Sequence, residues 1–368
     1  METKIQFKGF NNWGILPYQK PVIIAGPCSA ETEEQTLQSA INLKQIGIQI
    51  FRAGIWKPRT RPNTFEGVGS VGLEWLKTVK KKTGMLISTE VANVKHISES
   101  LKAGIDILWI GARTTANPFA IQEIADALKG VNIPILIKNP VNPDINLWLG
   151  AIERFYQSGL TKIGAIHRGF SSIEKSIYRN TPQWQIPIEL KTRFPEIPLF
   201  CDPSHIAGNR KFLQDLSQKA IDLNYDGLMI ESHISPDQAW SDAKQQITPT
   251  ELNYLIKKLI IRNEKPEGIS LETIEDLRYR LDECDNQLIE ILESRMQLSE
   301  AIGLYKKQNN MTVLQTNRWE QVLKKSIDSG VKRNLGKKFI SDIFKIIHHE
   351  SINIQTKRNL HTSKKLQL

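Results

Sequence analysis

From residue 21 to about 233 the chain alternates short apolar runs with longer stretches of mixed character. The runs are "PVIIAG" from 21, "IQIFRAG" from 48, "MLISTEV" from 85, "ILWIGA" from 107, "PILIKN" from 134, "KIGAIHRG" from 162, "PLFCDPSH" from 198 and "DGLMIESH" from 226. Near-continuous apolar runs of this length predict strands buried on both faces. Between them lie segments such as "EEQTLQSAINLKQIG" and "PFAIQEIADALKG", whose apolar residues recur at helical spacing. Strands alternating with helices indicate a parallel sheet, and eight such units in about 230 residues predict an α/β (β/α)₈ barrel. An open doubly wound sheet is the alternative. No glycine-rich dinucleotide fingerprint follows the first strand to support it.

The pattern then changes. "TPTELNYLIKKLIIRNEKPEGIS" reads as a closing helix followed by a polar linker, 262–270, containing Pro266 and Gly268. From 271 the chain has no Gly or Pro until Gly303, and Ile274, Leu277, Leu281, Leu288, Ile291, Leu292, Leu298 and Ile302 keep helical spacing. The predicted helix is roughly 55 Å long. It cannot bury its apolar stripe alone; further helical patterns at about 316–328 and 334–356 supply some of the cover. The expected domains are therefore a barrel over 1–261, a linker over 262–270, an all-α domain over 271–356, expected to be dimeric, and a basic tail over 357–368.

Composition narrows the class. A net charge of +10 is spread along the chain without a long basic run, which points to anionic small molecules rather than nucleic acid. Cys28, Cys201 and Cys284 have no paired spacing, so a disulfide framework is not expected and a reducing compartment is. The first residues, "METKIQFKGF", lack the apolar region of a signal peptide. No segment approaches the roughly 18 apolar residues of a membrane span. A soluble, cytoplasmic protein is the expectation.

In a (β/α)₈ barrel the strands' C-terminal ends share one face, where catalysis is placed. Those ends carry Cys28 after the first run, Arg52, Lys57 and Arg59 at the second, Arg113 at the fourth, Lys138 at the fifth, and His167 and Arg168 at the sixth. Asp202 and His205 follow at the seventh, Glu231 and His233 at the eighth, and Asp242 in a loop beyond. Arg52, Lys57, Arg113, Lys138 and Arg168 make a basic pocket suited to phosphate and carboxylate. Cys28, His205, Glu231 and Asp242 form a sulfur, nitrogen and oxygen donor set suited to a divalent metal, with manganese, iron and zinc all open.

The segments "GPCS", "FRAGIWKPRTRP", "GAR", "IKNP", "HRG", "CDPSH" and "GLMIESH…SDAKQQ" resemble, in order, those of 3-deoxy-D-arabino-heptulosonate 7-phosphate (DAHP) synthase, in the group related to 3-deoxy-octulosonate 8-phosphate synthase. The resemblance implies metal ligation by Cys28, His205, Glu231 and Asp242. It implies phosphoenolpyruvate binding by Arg52, Lys57, Arg113, Lys138 and Arg168, and erythrose 4-phosphate binding by Arg59 and Thr60 of "KPRT". Octulosonate enzymes typically show an Asn-containing segment in place of "KPRT", which favours the four-carbon aldose; the octulosonate reaction is the alternative. Lys57 is implied as the proton donor to the forming hydroxyl. His167 stands where relatives often carry Glu, a departure that leaves Arg168 in place but counts against an acid–base role at the preceding position.

On the long helix Arg295 and Lys306 are eleven residues apart and lie within about 20° of each other, whereas Arg278 points about 100° away. Ser351 and Gln355 share a face of the last helix. With Arg318, the series resembles the all-helical type of chorismate mutase over 271–356. That implies an intertwined dimer in which Arg278 crosses to the partner's site, with Arg295, Lys306, Arg318, Ser351 and Gln355 holding chorismate or prephenate. Lys306 and Gln355 are implied at the ether oxygen. Gln315 stands where relatives often carry an acid. Fusion of the two activities implies feedback on the barrel, and a helical domain serving only regulation or dimerisation is the alternative.

Overall fold

The computed structural model describes residues 5–17, 19–57, 64–172, 176–262 and 271–363, with 271–273 and 357–363 described by backbone alone. The chain divides between 264 and 265 into two compact units. Of the expected linker only Arg262 lies among the described residues.

All eight expected strands are present: β1 Val22–Gly26, β2 Ile50–Arg52, β3 Leu86–Val91, β4 Ile107–Ile110, β5 Ile135–Lys138, β6 Ile163–His167, β7 Leu199–Cys201 and β8 Gly227–Glu231. Each pairs in parallel with the next, and β1 pairs with β8, Val22 opposite Gly227. The ring is closed, which removes the open-sheet alternative.

Side chains on a strand alternate between faces, and the two faces here fill two cores. Ile24, Ile50, Trp109, Leu136, Ile166, Phe200 and Met229 pack in the lumen, joined by Phe10 and Trp13 from the N-terminal turn Phe10–Trp13. Ala25, Phe51, Leu108, Ile137, Ala165, Cys201 and Leu228 belong to the outer core with residues of the surrounding helices. The helices start where their sequence says they should. Thr32, Asn93, Asn117 and Asp144 each accept a backbone N–H at a helix N-terminus, and Thr248 forms a capping box with Glu251.

The lumen parity has a direct consequence for chemistry. Two residues on from Ile50, Leu136, Ile166, Phe200 and Met229 stand Arg52, Lys138, Arg168, Asp202 and Glu231. The apolar plug thus gives way, one layer further along, to a ring of charged side chains.

The second unit has three helices, Leu271–Gln308, Thr316–Val331 and Lys337–Ser363. The third packs along the first and against the second. At Gly303 the first and third helices come close: a Cβ there would sit 3.0 Å from Cα of Gln355. The third helix runs past the expected end at 356 to Ser363, since "TKRNLHTS" holds no Gly or Pro to stop it. Leu277, Leu281, Leu288, Ile291 and Leu298 remain 54 to 66% exposed on the long helix.

Candidate functional site

The charged ring at the C-terminal ends of the strands is held by short, specific contacts. Arg52, 1% exposed, donates from Nη1 to Glu231 Oε1 at 3.2 Å and from Nη2 to the carbonyl of Cys28 at 3.1 Å. Its guanidinium lies 4.9 Å from the centroid of Trp109. Lys57 donates to the carbonyl of Cys28 and lies 3.0 Å from its Sγ. Lys138 is buried against Asp202 at 2.8 Å. Asp202 in turn caps the short helix Pro203–Ala207, accepting from the backbone N–H of His205.

Cys28, Glu231 and Asp242 present donor atoms within 4.8 Å of one another. His205 stands beside this trio, its Nε2 3.8 Å from Glu231 Oε1. Its Nδ1 approaches Asp202 at 2.7 Å but off the line of a well-formed hydrogen bond. Three of the four expected ligands are therefore gathered and the fourth flanks them. A thiol, two carboxylates and an imidazole edge at one point fit a divalent metal ion.

Burial and neighbouring charges shift the proton affinity of each of these groups. Burial first, then Glu231 and Asp242, push the Cys28 thiol up to about 12. Burial would raise the Asp242 carboxyl, yet Arg179, with His205 and Lys57, holds it below the ordinary carboxylate range. Glu231 is likewise held low against its burial by His205 and Arg52. Burial keeps His205 below its usual value.

Second-layer contacts fix the trio. Gln246 accepts from the Cys28 N–H at 2.9 Å, and Gln245 donates to Glu231 Oε2 at 2.7 Å. Arg179 bridges Asp242 and Gln245, at 2.9 Å to each. Asp242 itself has a left-handed backbone, φ 48°, an unusual conformation for a non-glycine residue.

Arg113, exposed on the short helix Ala112–Thr115, and Arg179 lie close enough to Arg168 to disfavour its charge. Burial leads that effect, and together they bring Arg168 down to about 10. Asn180 accepts from Arg168 Nη1 at 2.9 Å, and Asn139 accepts from its backbone N–H. Cations within electrostatic range of one another suit an anion. A cavity of about 280 Å³, lined by Trp56, Lys57, Glu66, Glu90, Asn93 and His96 among others, opens beside Lys57. Arg59 and Thr60 lie outside the described residues.

His167 takes no part in this ring. It belongs to the outer parity of β6, buried beside Trp184, donating from Nε2 to the carbonyl of Pro182 and accepting from Tyr225 O–H at Nδ1. Sequence reasoning overlooked Arg179, which follows no strand directly. It also assigned no role to Asn139, Gln245 and Gln246, although they sit inside "IKNP" and "SDAKQQ".

In the helical unit Arg295 Nη1 donates to Ser351 Oγ at 2.6 Å, and Lys306 Nζ to Gln355 Oε1 at 3.3 Å and the Val313 carbonyl at 2.6 Å. Burial lowers the pKa of both cations. Arg278 is apart from them, exposed and paired with Glu275. Arg318 is exposed in the first turn of the second helix, which starts after an N-cap Gln315 that makes no side-chain cap.

Residues 17–264 match the protein-family model described as the DAHP synthetase I family. The chain belongs to that family. Residues 277–356 match chorismate mutase type II, so one chain joins a DAHP synthase barrel to a chorismate mutase unit. The phospho-2-dehydro-3-deoxyheptonate aldolase of Thermotoga maritima is 35% identical over 64% of this chain and 68% of its own. A 2-dehydro-3-deoxyphosphooctonate aldolase of Wolinella succinogenes is 26% identical over 66% of this chain and 99% of its own. The crystal structure of the Thermotoga maritima DAHP synthase superposes with a TM-score of 0.61 at 30% identity, covering 69% of this chain and 72% of that one. No helix among the described residues is long and apolar enough to cross a membrane.

Proposed function

We propose that the barrel condenses phosphoenolpyruvate with erythrose 4-phosphate to DAHP and phosphate, dependent on a divalent metal, and that the helical unit rearranges chorismate to prephenate. The observation that carries the first half is the donor trio of Cys28, Glu231 and Asp242 beside Lys57 and within one ring of strand ends with Arg52, Lys138 and Arg168. Cys28, Glu231, Asp242 and His205 would hold the metal, which as a Lewis acid would polarise the aldehyde oxygen. Arg113 and Arg168 bind the anionic groups of phosphoenolpyruvate with Lys138 and Arg52, and Arg59 and Thr60 hold the aldose phosphate. C3 of phosphoenolpyruvate bonds to the aldehyde carbon while Lys57 Nζ gives its proton to the aldehyde oxygen. Water adds at C2, and the phosphohemiketal loses phosphate. The cations offset the repulsion of two anions brought to reacting distance.

In the helical unit Arg295, Lys306, Arg318, Ser351 and Gln355 clamp chorismate in its folded form, and Arg278 enters from a partner subunit. The rearrangement is pericyclic and needs orientation and charge rather than a nucleophile. The uncovered apolar stripe of the long helix supports a homodimer. Prephenate or chorismate bound there regulates the barrel; equal condensation kinetics with and without either ligand refute that regulation.

The direct test follows phosphoenolpyruvate's ultraviolet absorbance. Loss on adding erythrose 4-phosphate, abolished by chelation and restored by manganese, iron or zinc, is the expected outcome. Loss only with arabinose 5-phosphate moves the barrel to the octulosonate reaction, and loss that survives full chelation removes the metal role. Absence of chorismate turnover reduces the helical unit to a regulatory or dimerisation module.

A further inference from the structure

His348 stands one turn before Ser351 and two turns before Gln355 on the third helix, so the three share a face. Its ring lies flat on the indole of Trp319 from the second helix, centroids 3.9 Å apart and planes 6° from parallel. Its Nε2 is shut off from solvent and makes no hydrogen bond among the described residues. Nearly all buried polar atoms in native structures are satisfied, so each exception calls for a partner. Among the described residues the charged groups that act on the ring are Arg295 and Lys306 of the long helix. Trp319, facing it from the second helix, is uncharged. Burial first, then those two cations, push its pKa down, so the ring enters the site neutral, with one N–H to give.

Resting on the reading of this unit as a chorismate mutase, we propose that His348 contacts substrate. Its Nε2–H donates to an oxygen of the dianion that Arg295 and Lys306 bind, and Trp319 is a positioning residue that holds the ring in place by stacking. Chorismate carries two carboxylates, a hydroxyl and an ether oxygen, so acceptors remain after Arg295, Lys306 and Gln355 are served. A donor on a flat ring clamped by an indole is oriented before substrate arrives, which lowers the entropy lost on binding.

The experiment uses the full-length chain with two variants. His348→Phe keeps a flat ring on Trp319 and removes the donor; His348→Gln removes the ring and keeps an N–H. The expected result is that His348→Phe raises KM for chorismate and weakens prephenate binding in calorimetry by about tenfold, while kcat changes less than KM and the barrel's condensation rate is unchanged. His348→Gln recovers most of that affinity. Native KM and native prephenate affinity in His348→Phe overturn the proposal, as does a Gln variant no better than the Phe variant. A wild-type chain that neither turns over chorismate nor binds prephenate overturns the mutase reading itself, an outcome visible before any variant is made.

Discussion

Lys57 and His167 show how far one side chain's surroundings decide its work. Both follow or end a strand of the barrel. Lys57 lies 3.0 Å from Cys28 Sγ at the edge of the donor trio. Lys57→Met is expected to bind both barrel substrates yet lose about 10²–10⁴ in kcat, the usual contribution of a positioned acid; steady-state kinetics with near-native KM values would check it. His167 instead faces the outer core. Burial, opposed by its bond to Pro182, lowers its pKa to about 4, against about 6.5 in an unfolded chain. The unfolded chain therefore binds more protons between those values, so stability falls as pH drops from about 6.5 to about 4. His167→Gln, which keeps one donor and one acceptor and cannot ionise, is expected to flatten that slope in denaturant melts run across this window.

At the scale of strands, the barrel depends on close approach at its rim. Gly26 ends β1 with φ 155°, and a Cβ there would lie 2.0 Å from the carbonyl oxygen of Arg52. Gly26→Ala is expected to force β1 and β2 apart, destabilising the barrel by about 3 kcal/mol and weakening metal binding through Cys28. Thermal melts and metal titration calorimetry would show both effects, and an unchanged melt would disprove the rim argument. The strands themselves were legible because a strand buried on both faces must be almost wholly apolar. Their inward parity was legible too: Arg52, Lys138, Asp202 and Glu231 fall two residues beyond lumen residues. Arg179 was not, because its bond to Asp242 spans 63 positions and no local pattern records it.

For the whole molecule the open stripe on the long helix and the isolation of Arg278 bear on assembly. Arg278 is paired with Glu275 on the surface, while Arg295 and Lys306 already meet Ser351 and Gln355. If Arg278 completes a partner's site, Arg278→Ala and Arg295→Ala chains are each expected to lose mutase turnover. Mixed and re-equilibrated, they regain part of it, because a mixed dimer holds one intact site. No recovery on mixing, with exchange of subunits verified, would place each site within one chain.

The sequence by itself determined the eight strands, the closed parallel barrel, the helical unit after it and nearly all the charged residues of the rim. These follow from apolar periodicity, which responds to local burial, and from the rule that a barrel's strand ends share a face. Only the tertiary structure decided how those charges pair: Lys138 with Asp202, Arg52 with Glu231, Arg179 with Asp242. It also packed His167 against Trp184 and Tyr225, set His205 beside rather than within the donor trio, and brought Trp319 against His348. Charge pairing and stacking depend on distances of a few ångströms between residues far apart in the chain, and spacing along a sequence does not encode such distances.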